Sequence, residues 1–161
     1  MAGETKERPP LNPSARSSAR LGLGEVDIIA PGLLHVRLAG AILAEHLEPI
    51  MGVGAEQIAQ GHRLLIAIDA DDVHAYKTEV RQQFQVWLRL HRNSIEKVWV
   101  LFRSPLLKMG VAMVNAFTGG MLRSFSDPEE FDAELSKAAR RIRSDAASQG
   151  ATTKSGTEVR H

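Results

Sequence analysis

Apolar residues along this chain gather into short runs separated by polar breaks, and the run Leu64–Ile68 organises the rest. Its five residues, Leu-Leu-Ile-Ala-Ile, stop at Asp69, and an acidic segment, Asp69-Ala70-Asp71-Asp72, follows. A helical pattern then begins near Tyr76. A continuous apolar run closed by a polar loop and a helix predicts a central strand buried on both faces. Loops at the carboxyl ends of such strands are where ligands and partners dock in open α/β sheets. The segment from Asp69 to Tyr76 is therefore the first candidate site.

The remaining pattern frames that strand. Val26, Ile28 and Ile29 predict a first strand, Pro31-Gly32 a tight turn, and residues 33–38 a second strand. Leu34, Val36 and Leu38 alternate with His35 and Arg37, which predicts one buried face. Ile42, Leu43, Leu47, Ile50 and Met51 have helical spacing, with Pro49, Gly52 and Gly54 predicting a bent or interrupted helix. Tyr76, Val80, Phe84, Trp87 and His91 predict the inward stripe of a helix over 76–92, with Arg81, Gln85, Arg89 and Arg92 opposite. Residues 95–102 read as another buried strand, and Ser104-Pro105 opens a helix. In that helix Leu106, Met109, Gly110, Met113 and Phe117 form the expected core stripe, which Leu107, Val111, Ala112 and Val114 widen. A Met-rich helix of this kind sits deep in a core or offers an adaptable apolar surface. Residues 121–125 give a last short strand. Asp127-Pro128-Glu129-Glu130 then caps a final helix that buries Phe131, Leu135, Ala138 and Ile142.

Composition narrows the possibilities. The 161 residues, 43% hydrophobic, suffice for one domain with a real core and tails. Residues 1–24 and 144–161 lack periodic apolar patterning and are expected to be disordered, leaving a domain over 25–143. No apolar run reaches membrane-spanning length and no secretory h-region opens the chain. The absence of cysteine removes disulfides, thiolate zinc sites and a cysteine nucleophile, in keeping with a cytoplasmic protein. The net charge of +1 hides an acidic middle, with ten basic and fifteen acidic side chains over residues 25–135, between basic ends. With only 5% aromatics, that middle excludes a nucleic-acid-binding face.

Candidate chemistry is sparse. Asp69, Asp71 and Asp72 have the hard oxygen donors a divalent cation needs, but the glycine and closing Glu of a calcium loop are missing. The histidines show no HxH or HExxH spacing. His74 alone lies beside acidic residues, with no nucleophile in the pattern. Gly52-Val-Gly54 lacks the strand and third glycine of a dinucleotide site. These readings give no cofactor, no metal and no enzyme.

The order ββαβαβαβα, the strand ending in Asp69 and the FSDPEEFDAEL close resemble the STAS-like domains. These include the bacterial anti-sigma-factor antagonists and a looser set related in fold to CRAL-TRIO lipid-binding proteins. The resemblance covers about residues 25–142. It implies an α/β fold with a mixed sheet of four to five strands, about four helices lying largely on one face, and a regulatory role. In the antagonists a Ser at the start of the helix after that strand is phosphorylated. Here the resemblance places Thr78 and Glu79 at the paired Ser/Thr, and Asp-Ser-Ser-Gly is replaced by Lys77-Thr78-Glu79-Val80. The expectation is a non-catalytic module binding another protein, or a second copy, through Asp69, Asp71, Asp72, His74, Tyr76, Thr78 and Glu79. The alternative is a lipid or small apolar ligand, or a membrane surface, held by the 104–120 helix through Leu107, Val111, Met113, Val114 and Phe117.

Overall fold

The computed structural model describes residues 22–158. The expected N-terminal tail lies outside the described residues except for residues 22–24. The elements are β1 (Leu23–Ala30), β2 (Leu33–Ile42), a 3-10 turn (Ala44–His46), α1 (Glu48–Ala59), β3 (Leu64–Tyr76), α2 (Thr78–Leu90), a second 3-10 turn (Arg92–Ser94), β4 (Ile95–Leu101), α3 (Pro105–Phe117), β5 (Leu122–Phe125) and α4 (Pro128–Glu158). One five-stranded sheet runs in the order β1-β2-β3-β4-β5, with β1 antiparallel to β2 and every other neighbour parallel. This is the expected mixed α/β sheet.

The two faces of the sheet are covered unequally. On one face Leu34, Val36, Leu64, Ile66, Ile68, Val98 and Val100 pack with Ile50 of α1, Val80 and Leu88 of α2, and Leu107 and Val114 of α3. On the other, Leu33, Leu65, Ala67, Trp99, Leu101 and Phe125 meet Phe131, Leu135, Ala138 and Ala139 of α4. Each fully buried Leu or Ile contributes about 1.5–3 kcal/mol of transfer free energy. Residues 64–70 of β3 are buried without a break because both layers close over them. Trp99, Phe125 and Phe131 stack edge-on, with centroids 5.6 and 5.5 Å apart.

Several expected details change. The second face of β2 is only half open, with His35 and Arg37 both half-buried. His35 lies against Phe131 with ring centroids 6.3 Å apart, and its Nε2 is buried with no hydrogen-bond partner among the described residues. Ile42 closes β2 instead of opening a helix. Pro49 stands in the first turn of α1, where no backbone donor is needed, so α1 runs uninterrupted from Glu48 to Ala59. Gln85 is buried and accepts a 2.8 Å hydrogen bond from Nη1 of half-buried Arg81, so Gln85 does not face water. α4 continues past the expected boundary at residue 143 to Glu158.

The largest revision concerns α3. Its buried residues are Leu107, Gly110 and Val114, whereas Leu106, Met109, Met113 and Phe117 are 45, 69, 46 and 44% exposed. The expected core stripe is therefore the outward face, except for Gly110. Both stripes have helical spacing, and the choice is made by Tyr76, which occupies the space where a side chain at position 110 would stand. Glycine leaves room there for the Tyr76 ring and hydroxyl, and the 107–110–114 face turns inward.

Substitutions separate the two faces. Leu107→Ala should cost about 2–5 kcal/mol in urea unfolding, and Met109→Ala should stay within about 0.5 kcal/mol. Equal costs would mean that α3 is rotated.

Burial also holds the His35 pKa below its ordinary 6.5, outweighing Asp69, Asp132 and Asp27, which raise it; Arg37 adds to the lowering. Because the unfolded chain then binds the extra proton, His35's contribution is fully present above about pH 6.5 and is lost as pH falls through the folded-state pKa. The stability of His35→Leu should decline less than wild type between about pH 7 and pH 5.5, measured by urea midpoints.

Candidate functional site

The segment expected to be a loop, Asp69–Tyr76, is the second half of β3. Beyond Asp69 it has left β4 and pairs with β2 alone. Two bulges carry it forward. Asp69 pairs with Arg37 and Asp72 with Ala39, then Val73 pairs with Gly40 and Ala75 with Ala41, so β3 inserts one residue each time. Each bulge reverses the facing of the residues after it. As a result Ala70, Val73 and Tyr76 all turn toward the three-helix layer.

The acidic residues of this segment do not converge. Asp69 is buried, and its Oδ1 accepts a 3.2 Å hydrogen bond from the Asp71 N–H. Asp71 accepts two hydrogen bonds from Arg103, at 3.0 Å from Nε and 2.6 Å from Nη2. This bidentate pair ties β3 to the connection between β4 and α3. The Asp71 side chain is 6% exposed and that of Arg103 63%. Hydrogen bonding and charge from Asp71, with smaller contributions from Asp72 and Asp127, raise the Arg103 pKa above its already high ordinary value. Asp72 is exposed, and the donor set a cation would need is thereby dispersed.

A polar rim surrounds this pair. Asp72, His74, Lys77, Thr78 and Glu79 are all exposed where β3 ends and α2 begins. Thr78 occupies the first position of α2, after an extended Lys77. Ser104 caps α3 by accepting a 3.2 Å hydrogen bond from the Leu106 N–H. The expected partner residues thus divide: Asp72, His74, Thr78 and Glu79 share the surface, Asp69 and Asp71 hold its framework, and Tyr76 turns inward. Arg103 and Lys77 were not among the expected residues. Arg103 was legible in principle, since Asp69 pairs with Leu101 in parallel register and two residues further on each strand stand Asp71 and Arg103.

Beneath the rim lies an apolar cavity of about 110 Å³ between the sheet and the three-helix layer. Ile68, Val73, Tyr76, Phe84, Gly110 and Val114 are among its walls. Arg81 reaches its edge, half-buried. Of the residues expected to hold an apolar ligand, Leu107, Val111 and Val114 line it. Met113 and Phe117 lie on the outer face of α3, where Arg89 stands 5.0 Å over the Phe117 ring. Among the described residues no helix is long and apolar enough to cross a membrane.

Parallel strands, a polar rim at their carboxyl ends and helices on both faces define the class of domain the chain adopts. Neither a protein-family model nor a curated protein matches its sequence. Among solved structures it is similar to an uncharacterised protein of the DUF3478 family with a SpoIIAA-like fold, from Shewanella loihica PV-4. The TM-score is 0.52 at 15% identity, covering 71% of this chain and 93% of that one. Phosphorylated SpoIIAA, a Bacillus cell fate determinant, superposes with a TM-score of 0.49 at 15% identity, over 68% of this chain and 97% of that one. Unphosphorylated SpoIIAA, an anti-sigma factor antagonist, gives 0.45 at 16% identity, over 68% and 94%. The chain therefore has the divergent STAS-like, SpoIIAA-like fold expected from its element order.

Proposed function

We propose that the chain is a non-catalytic regulatory module of STAS type, acting in the cytoplasm by binding another protein at the rim between β3 and α2. The observation that carries this reading is the exposed set Asp72, His74, Lys77, Thr78 and Glu79, presented on a framework held by buried Asp69 and the Asp71–Arg103 pair. Polar groups on a rigid support suit recognition, because little ordering entropy is lost on docking. Lys77-Thr78-Glu79-Val80 in place of Asp-Ser-Ser-Gly supports recognition by the standing charges of the rim over a phosphorylation switch.

A tagged chain recovered from its own cells tests this. Asp72→Lys and Thr78→Arg should each lower co-purifying protein at least tenfold, with the thermal midpoint within about 2 °C of wild type. Undiminished co-purification would remove the rim from the interface.

The cavity supports a second reading, a small apolar ligand. Its apolar walls suit a small ring or a short chain. Native mass spectrometry of the protein from its own cells should then show an added mass on the order of 100 Da, released by organic solvent. A bare chain would leave the cavity a packing defect.

A further inference from the structure

We propose that the outward face of α3 docks an amphipathic helix of the protein partner whose flanks carry Asp and Glu. This inference rests on the protein-interaction reading and adds a second, separate surface to it. Leu106, Met109, Met113 and Phe117 stand at steps of three, four and four, all exposed. They form one apolar seam about 16 Å long at 1.5 Å per residue. Single exposed apolar residues are ordinary, but four aligned along one helix form a patch of the kind that marks an interaction site. Their spacing is that of the anchors one helix offers another, and two methionines let the seam adapt to its occupant.

Charge selects the occupant. Residues 80–95 and 103–126, which supply α3 and most of α2, contain no Asp or Glu. Arg89 stands over Phe117 at the end of the seam. Exposed Arg92 approaches Gly119 just beyond it. The Asp71 carboxylate holds Arg103 at the opposite end of α3, with the charges of Asp72 and Asp127 also acting on it. A second copy would dock here only as a symmetric pair, and a chain that sediments as a dimer, dissolved by Met109→Asp with Met113→Asp, would overturn the proposal. Anionic membrane recognition draws on clusters of four to eight Lys or Arg, and the seam has Arg89 and Arg92 at one end. An acidic-flanked helix satisfies both the seam and its cations.

The test uses the full chain and an 18-residue helical peptide with leucines at three–four spacing and Glu flanks. A Lys-flanked twin and phosphatidylcholine–phosphatidylglycerol vesicles serve as competing probes, with binding read by fluorescence anisotropy at low salt. The Glu-flanked peptide should bind at least tenfold more tightly than its twin. Met109→Asp with Met113→Asp should weaken it at least tenfold, and Arg89→Glu with Arg92→Glu should reverse the preference. Because these side chains are exposed, an unchanged circular dichroism spectrum and thermal midpoint are expected for each variant. Equal binding of the two peptides, binding of neither, or binding that survives the double Asp variant would overturn the proposal. Capture by the vesicles without capture of the Glu-flanked peptide would overturn it in favour of a membrane. Asp72→Lys should leave peptide binding unchanged, so failure of the seam and failure of the rim are read separately.

Discussion

Complete burial of the first half of β3 is the constraint on which the other features rest. Leu64, Ile66 and Ile68 face one helical layer while Leu65 and Ala67 face the other, and a strand in that position needs backbone partners on both sides. β2 and β4 supply them as far as Asp69. Where β4 stops, β3 keeps β2 as its neighbour and releases its other edge. The change from a buried strand to one with an open side falls within three residues, and it sets Asp69 inside the protein, Asp71 at its boundary and Asp72 outside.

Much of this order is legible in the amino-acid pattern, and the failures have particular causes. The run from Leu64 to Ile68 and the cap at Asp127-Pro128 each identify their elements, and the Asp127 carboxylate accepts a 3.0 Å hydrogen bond from the Glu129 N–H as the pattern implies. The second half of β3 is misread because each bulge stretches the strand's period of two by one residue. Ala70, Val73 and Tyr76 consequently recur every third residue, a spacing that imitates the approach to a helix. The inversion of α3 has another origin. A helix with apolar residues most of the way round leaves its facing undetermined by periodicity, and a contact distant in sequence, Tyr76 on Gly110, decides it. His35 reads as solvated because local alternation carries no information about α4, roughly a hundred residues further along the chain.

The candidate site is correspondingly divided. Residues that seemed from their proximity in sequence to form one binding loop fall into three environments: a polar rim, an ion-paired support beneath it, and the wall of an apolar cavity. Tyr76 joins these regions, since its backbone ends β3 while its side chain meets both the cavity and α3. The apolar helix divides in the same way, with Leu107 and Val114 serving the core and Met113 and Phe117 serving the outside.

The strand order has a kinetic meaning. Each strand lies beside the strand that precedes it in the chain, and none is inserted between two earlier ones. The sheet can therefore grow from the β1–β2 hairpin by successive addition, each βα unit closing a loop of modest length before the next begins. Loop-closure entropy rises with the length that must be closed, and folding slows as contacts become more distant along the chain. A largely parallel sheet ordinarily pairs distant segments and assembles slowly. This one keeps its pairings between successive strands, which favours quick assembly and shortens the time during which the apolar edges of β3 stand uncovered.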